Sequence, residues 1–132
     1  MRDGTSERQL KDRAAVEAAE GAACIDLAHL SLFTASDRAL IRELLDLFRS
    51  QSAAYLQRLA AATSDREWQE AAHSLKGSAR AIGACCVSEA AERAEQLSGA
   101  ALKQGRSASL QAIEGAIKEA NAEIAALLAC DF

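Results

Sequence analysis

Apolar residues recur along this chain at helical spacing, and nowhere do they alternate over a run long enough for a strand. Between residues 34 and 62, Leu40, Ile41, Leu44, Leu47, Phe48, Leu56 and Leu59 form one stripe, at the three- and four-residue intervals of an amphipathic helix. Thr34 or Ser36 is the candidate cap that opens it. Ser64-Asp65-Arg66-Glu67 opens a second helix, with Ser64 as cap and Glu67 as its capping-box partner. Trp68, Ala71, Leu75, Ala79 and Ile82 share one side of that helix, and Gly83-Ala84 closes it. Val87, Ala90, Ala91, Ala94, Leu97 and Ala101 define a third stripe that stops near Gly105. A fourth starts at Ser107 or Ser109 and runs through Leu110, Ile113, Ile117, Ile124 and Leu127 to about Ala129. Upstream the pattern is weaker. Ser6, with Gln9, caps a candidate first helix to about Glu20 that Gly21 ends, and Asp26 opens a short helical turn to Phe33.

Four long amphipathic segments with short connections predict an all-α fold, an antiparallel up-down four-helix bundle. The bundle is expected over residues 24–132. Residues 1–23 form an additional N-terminal helical appendage whose apolar face is too weak for a core element. Composition agrees. The chain has 132 residues, enough for one domain with a core, no Pro, and abundant Ala and Leu. One Trp, one Tyr and three Phe leave Leu, Ile and Ala to build the interior, and the many alanines let helices approach closely.

Charge and cysteine usage narrow the function classes. A net charge of −4 disfavours nucleic acid or an anionic membrane as partner. No apolar run is long enough to span a bilayer and the N-terminus is too polar for a signal peptide, so a cytoplasmic, soluble protein is expected. Cys24, Cys85, Cys86 and Cys130 contain no CxxC pair. They read as small apolar residues in a reducing compartment, not as metal ligands.

One residue stands apart from this regular pattern. His73 falls on the side of its helix opposite Leu75, flanked by Gln69, Lys76, Gly77 and Arg80. The imidazole is therefore expected in solvent with two cations beside it. Gly77 sits in the helix interior, where it costs about 1 kcal/mol against Ala. In a chain that uses Ala freely, that cost implies a need for the missing side chain.

The run His73-Ser74-Leu75-Lys76-Gly77-Ser78-Ala79, followed by Gly83-Ala84, resembles the signature of histidine-containing phosphotransfer (HPt) domains. Asp26-Leu27-Ala28-His29-Leu30 and Leu44-Leu45-Asp46-Leu47-Phe48 resemble the segments that precede the His helix in that family, and the likeness spans about residues 24–130. The resemblance implies that His73 accepts a phosphoryl group, that Lys76 and Arg80 offset its charge, and that Gly77 leaves room for the partner's active site. It also implies that Glu92 and Glu95 lie on the next helix facing the His, with Glu95 the candidate that orients the imidazole tautomer. Gln69 and Ala84, the latter taken as exposed beside the His, are candidate docking residues, together with the apolar turn at 26–33. The implied partners are response-regulator receiver domains, which supply the aspartate and the Mg²⁺, and a hybrid histidine kinase. The chain itself is expected to be a monomer that needs no cofactor.

The chemistry fits those residue types. A neutral imidazole is nucleophilic near pH 7 without a general base. Neither a phosphate-binding Gly-rich loop nor a serine–histidine–acid arrangement is present. The chain is thus expected to carry a phosphoryl group without generating one, as a phosphocarrier and not an autonomous kinase. Two other readings compete. One is a helical adaptor that binds a receiver or kinase without transfer, which the intact His73, Lys76 and Gly77 set disfavours. The other is the phosphoacceptor hairpin of a sensor kinase, which carries an acidic residue after its His and a nearby Pro. Here Ser74 follows His73 and Pro is absent.

Overall fold

The computed structural model describes residues 25–35 and 37–129, and every described element is helical apart from one isolated bridge. A short α1 spans Leu27–Phe33. Four longer helices follow: α2 (Arg38–Ala61), α3 (Asp65–Ala81), α4 (Cys85–Glu95) and α5 (Gly99–Ala129). Each of the four packs on the next, and α5 packs back on α2, closing a four-helix bundle. The candidate first helix at 6–20, with Cys24 and Cys130, lies outside the described residues.

Local chemistry accounts for the ends of α3. Ser64 accepts from the Glu67 backbone N–H at 3.1 Å, capping the helix. The Glu67 carboxylate reaches one residue beyond the capping-box position, to the backbone N–H of Thr63 (2.8 Å) and its hydroxyl (3.0 Å). At the other end Gly83 adopts φ +74. Its N–H donates to Arg80 O at 3.2 Å and that of Ala84 to Ala79 O at 2.8 Å, the paired bonds of a Schellman stop. A side chain at Gly83 would also strike Asp26, whose carbonyl oxygen would lie 2.8 Å from an added Cβ. Asp26 N–H donates to Gly83 O (2.8 Å), and Ile25 bridges to Ala84. The segment before α1 therefore pins the α3–α4 turn.

Three boundaries or faces differ from the sequence expectation. The cap of α2 is Asp37, which accepts from Leu40 N–H at 3.1 Å. Thr34 is buried and its hydroxyl instead donates to Leu30 O, closing α1, and Ser36 lies outside the described residues. The buried stripe of α2 is rotated to Ile41, Leu45, Phe48, Ser52 and Leu59, leaving Leu40 and Leu47 exposed. Ser52 holds an interior position because Asn121 of α5 donates to its hydroxyl at 3.1 Å while that hydroxyl donates to Arg49 O.

The third difference is the α4–α5 junction, which falls at residues 96–98 and not near Gly105. Gly99 takes φ +56, and α5 then runs unbroken past Gly105. Arg106, half-buried on α5, follows Gly105 directly. Its guanidinium lies 5.2 Å from the centre of the Trp68 ring and donates to the carbonyls of Leu59, Ala60 and Ala62. Those carbonyls lie at the end of α2, where a cation also meets the negative end of the helix dipole.

The core positions the site through α3 and α4. Trp68, Ala71, Ala72, Leu75 and Ala79 of α3 are buried against Val87, Ala90, Ala91 and Ala94 of α4 and the rest of the interior. These two helices form the most extensively packed pair. The Trp68 indole N–H donates to Ala94 O at 2.7 Å, fixing the register between them. With small residues along the seam, α4 lies close enough for its polar edge to reach across to α3.

Candidate functional site

His73 projects from α3 on the side opposite Leu75, with its side chain 68% exposed while Leu75 is fully buried. Its Nδ1 lies 2.9 Å from Oε2 of Glu95, in the last turn of α4. A carboxylate only accepts, so Nδ1 carries the proton. The lone pair is thereby left on Nε2, which makes no hydrogen bond to any described residue. With the proton held on Nδ1, the outward nitrogen carries the available lone pair.

Glu95 serves a second partner. Its Oε1 lies 2.6 Å from Nζ of Lys76. The Lys76 ammonium, hydrogen-bonded to Glu95, holds that carboxyl below the usual carboxylate range, with the bond to His73 adding to the effect. Lys76 is correspondingly shielded, with 15% of its side chain exposed. This corrects the expectation of a solvent-facing cation. Lys76 lies one turn past His73 but toward α4, and Glu95 draws its head group down onto the α3–α4 seam.

The remaining candidates separate. Arg80 is exposed two turns from His73 and pairs with Glu92 at 3.4 Å. Gly77 is exposed, and a Cβ added there would meet nothing within 4 Å, so no contact among the described residues requires glycine. Gln69 is half-buried one turn before His73 and donates to Leu97 O at 3.4 Å. Ala84 is not exposed beside the His. It is fully buried, because the left-handed turn at Gly83 folds the chain under α3 and seats Ala84 against Ile25. The helix carrying His73 ends at Ala81, itself about 12 Å from His73 along the axis, and Ala84 lies past that end. His29 on α1 is exposed and its Nε2 lies 3.1 Å from Arg80 O, at the C-terminal end of α3.

A groove of about 490 Å³ opens beside His73 between α2 and α3, and Arg58 and Arg66 line it together with His73 and Glu95. Arg66 is paired with Glu70 at 2.9 Å. Arg58, in the last turn of α2, was not singled out from the sequence. Nothing in its local pattern marks it, since its place beside His73 depends on how α2 meets α3.

Among the described residues no group of three or more His, Cys, Asp or Glu side chains is placed to hold a metal ion, and no helix is long and apolar enough to cross a membrane. The site is a single exposed imidazole on a helical bundle, tautomerically fixed by an acid on the next helix. That is the arrangement of a histidine phosphocarrier. The family model of the Hpt domain matches residues 43–129, and the chain belongs to that family, whose role is histidine phosphotransfer in phosphorelays. No curated protein and no solved structure matches the chain.

Proposed function

We propose that this chain relays a phosphoryl group through Nε2 of His73, to and from the aspartate of response-regulator receiver domains. The observation that carries the proposal is the 2.9 Å contact of Nδ1 with the Glu95 carboxylate, which favours the tautomer whose lone pair sits on Nε2, a nitrogen without a hydrogen-bond partner among the described residues. In the forward step the Nε2 lone pair attacks the phosphorus of an aspartyl phosphate. The N–P bond forms as the P–O bond to the carboxylate breaks, and the aspartate leaves as its anion. The Nδ1 proton stays in place, so the ring becomes cationic. Glu95, already an anion at neutral pH, offsets that charge. As Glu95 is drawn to the ring, Lys76 is released toward the phosphoryl oxygens. The reverse step returns the phosphoryl group and restores the Lys76–Glu95 pair.

The receiver domain brings the Mg²⁺ that activates its own aspartyl phosphate, and a hybrid histidine kinase stands upstream. Gly77 leaves the helix face open where that partner must approach. The chain works as a cytoplasmic monomer with no cofactor of its own. Incubation with each phosphorylated receiver domain of the same cell tests the proposal. Acid-labile, base-stable label should move onto this chain from at least one of them and back again. Receivers that hydrolyse their phosphate without labelling the chain would leave it as an adaptor.

A further inference from the structure

We infer that Arg58, uncommitted in the free protein, joins Lys76 on the phosphoryl oxygens once His73 is phosphorylated. The inference rests on the phosphotransfer reading above and adds a residue to it. Phosphorylation places a dianion on Nε2, and the free protein has committed nearly every nearby cation. Lys76 is bound to Glu95, Arg80 to Glu92 and Arg66 to Glu70. Arg58 stands on the far wall of the groove that His73 lines, and its guanidinium has neither an ion pair nor a hydrogen bond among the described residues.

Its position suits the task. Arg58 comes from α2, so its reach toward His73 is set by the α2–α3 contact and not by the His helix itself. Arg106 already neutralises the carbonyls that end α2, which frees the last-turn arginine of that helix from a capping role. A guanidinium also presents parallel N–H donors that match phosphoryl oxygens, whereas the Lys76 ammonium offers a point charge. Two walls then share the phosphoryl group: α4 holds the ring through Glu95, and α2 holds the oxygens through Arg58. A cation on those oxygens disfavours their departure as a metaphosphate-like fragment, so Arg58 lengthens the life of the phosphohistidine.

Phosphoramidate, a small-molecule donor, tests this without any partner. The full chain and its Arg58→Ala, Arg58→Lys and Arg66→Ala variants are phosphorylated, and the phosphohistidine is followed by ³¹P NMR at neutral pH. Arg58→Ala should shorten its half-life by roughly three- to tenfold. Arg58→Lys should recover part of the loss, and Arg66→Ala should stay within about twofold of the parent. The Arg58 Nε–H resonance should shift on phosphorylation of the parent and not in His73→Gln. A labelled Arg58→Ala protein with the parent's half-life overturns the Arg58 assignment alone. A parent chain that takes no label on His73 overturns the phosphotransfer reading and this inference with it.

Discussion

His73 and His29 are both exposed imidazoles on helices, and each has one ring nitrogen engaged. They differ in which nitrogen is engaged and by what. His29 turns Nε2 toward the Arg80 carbonyl. A carbonyl only accepts, so Nε2 is the protonated nitrogen. That bond ties α1 to the end of α3, beside the bonds from Asp26 to Gly83 and from Ile25 to Glu123. His73 gives Nδ1 to a carboxylate and leaves Nε2 to solvent. The first arrangement spends the outer nitrogen on holding the fold. The second uses the inner nitrogen to prepare the outer one. Exposure alone does not distinguish the two rings, whereas the occupied nitrogen does, and on that difference rests the proposal that His73 is the phosphoacceptor.

The comparison breaks most visibly on substitution of the two rings. His73→Gln should abolish acid-labile, base-stable labelling, while His29→Gln should leave labelling intact and lower stability by about 0.5–1.5 kcal/mol through the lost bond to α3. Radiolabel transfer and a denaturant melt read the two effects separately. Removing the orienting acid is the next largest change. Glu95→Ala should slow single-turnover transfer about tenfold, equivalent to roughly 1.4 kcal/mol in the barrier. Glu95→Gln should lose less, because the amide oxygen still accepts from Nδ1–H.

Lys76 sharpens the contrast between the two walls of the α3–α4 seam. A solvent-facing lysine would cost little to remove. Shielded and paired as it is, Lys76→Ala should cost about 1 kcal/mol by chemical denaturation, whereas Arg80→Ala should cost no more than about 0.5. Gly77→Ala should stabilise the domain by about 0.5–1 kcal/mol, since nothing crowds the added methyl, and should still slow transfer to a receiver. Gly77→Gln should slow it further.

The smallest effect is on the acid limb of stability. Lys76 and His73 depress the Glu95 carboxyl below its usual value of 4.5. Its contribution is therefore fully present above that pH and is lost as pH falls through the depressed value. Glu67, held down by its bonds to Thr63, behaves with the same sign. Glu95→Gln should flatten the decline of melting temperature below pH 4.5, and an unchanged profile would remove the ion pair from the account.

The sequence carried the His helix almost whole, because its ends are written in local chemistry. Ser64 and Gly83 act within a few residues, and the 100° period that buries Trp68 and Leu75 places His73 outward. Longer-range features were less legible. Gly105 reads as a stop in the sequence, yet α5 continues through it, and the half-buried Arg106 lies over Trp68 and caps α2. Both of those partners are remote in sequence. The α2 stripe was misread by a rotation because Ser52 holds an interior position through Asn121, 69 residues away. Ala84, expected exposed beside the His, is buried because the left-handed turn at Gly83 seats it against Ile25. The shielding of Lys76 and the place of Arg58 arise from helix packing, which no single helical period encodes.

The central claim is that His73 is poised with its proton on Nδ1 and its lone pair on Nε2. ¹⁵N NMR of the imidazoles, before and after phosphorylation with phosphoramidate, tests it directly. Before phosphorylation the neutral ring of His73 should show a protonated Nδ1 and an unprotonated Nε2, and Glu95→Ala should blur that preference. Afterwards phosphorus coupling should appear at Nε2 of His73, with His29 unchanged. Phosphorus on Nδ1, or on either nitrogen of His29, would contradict the account.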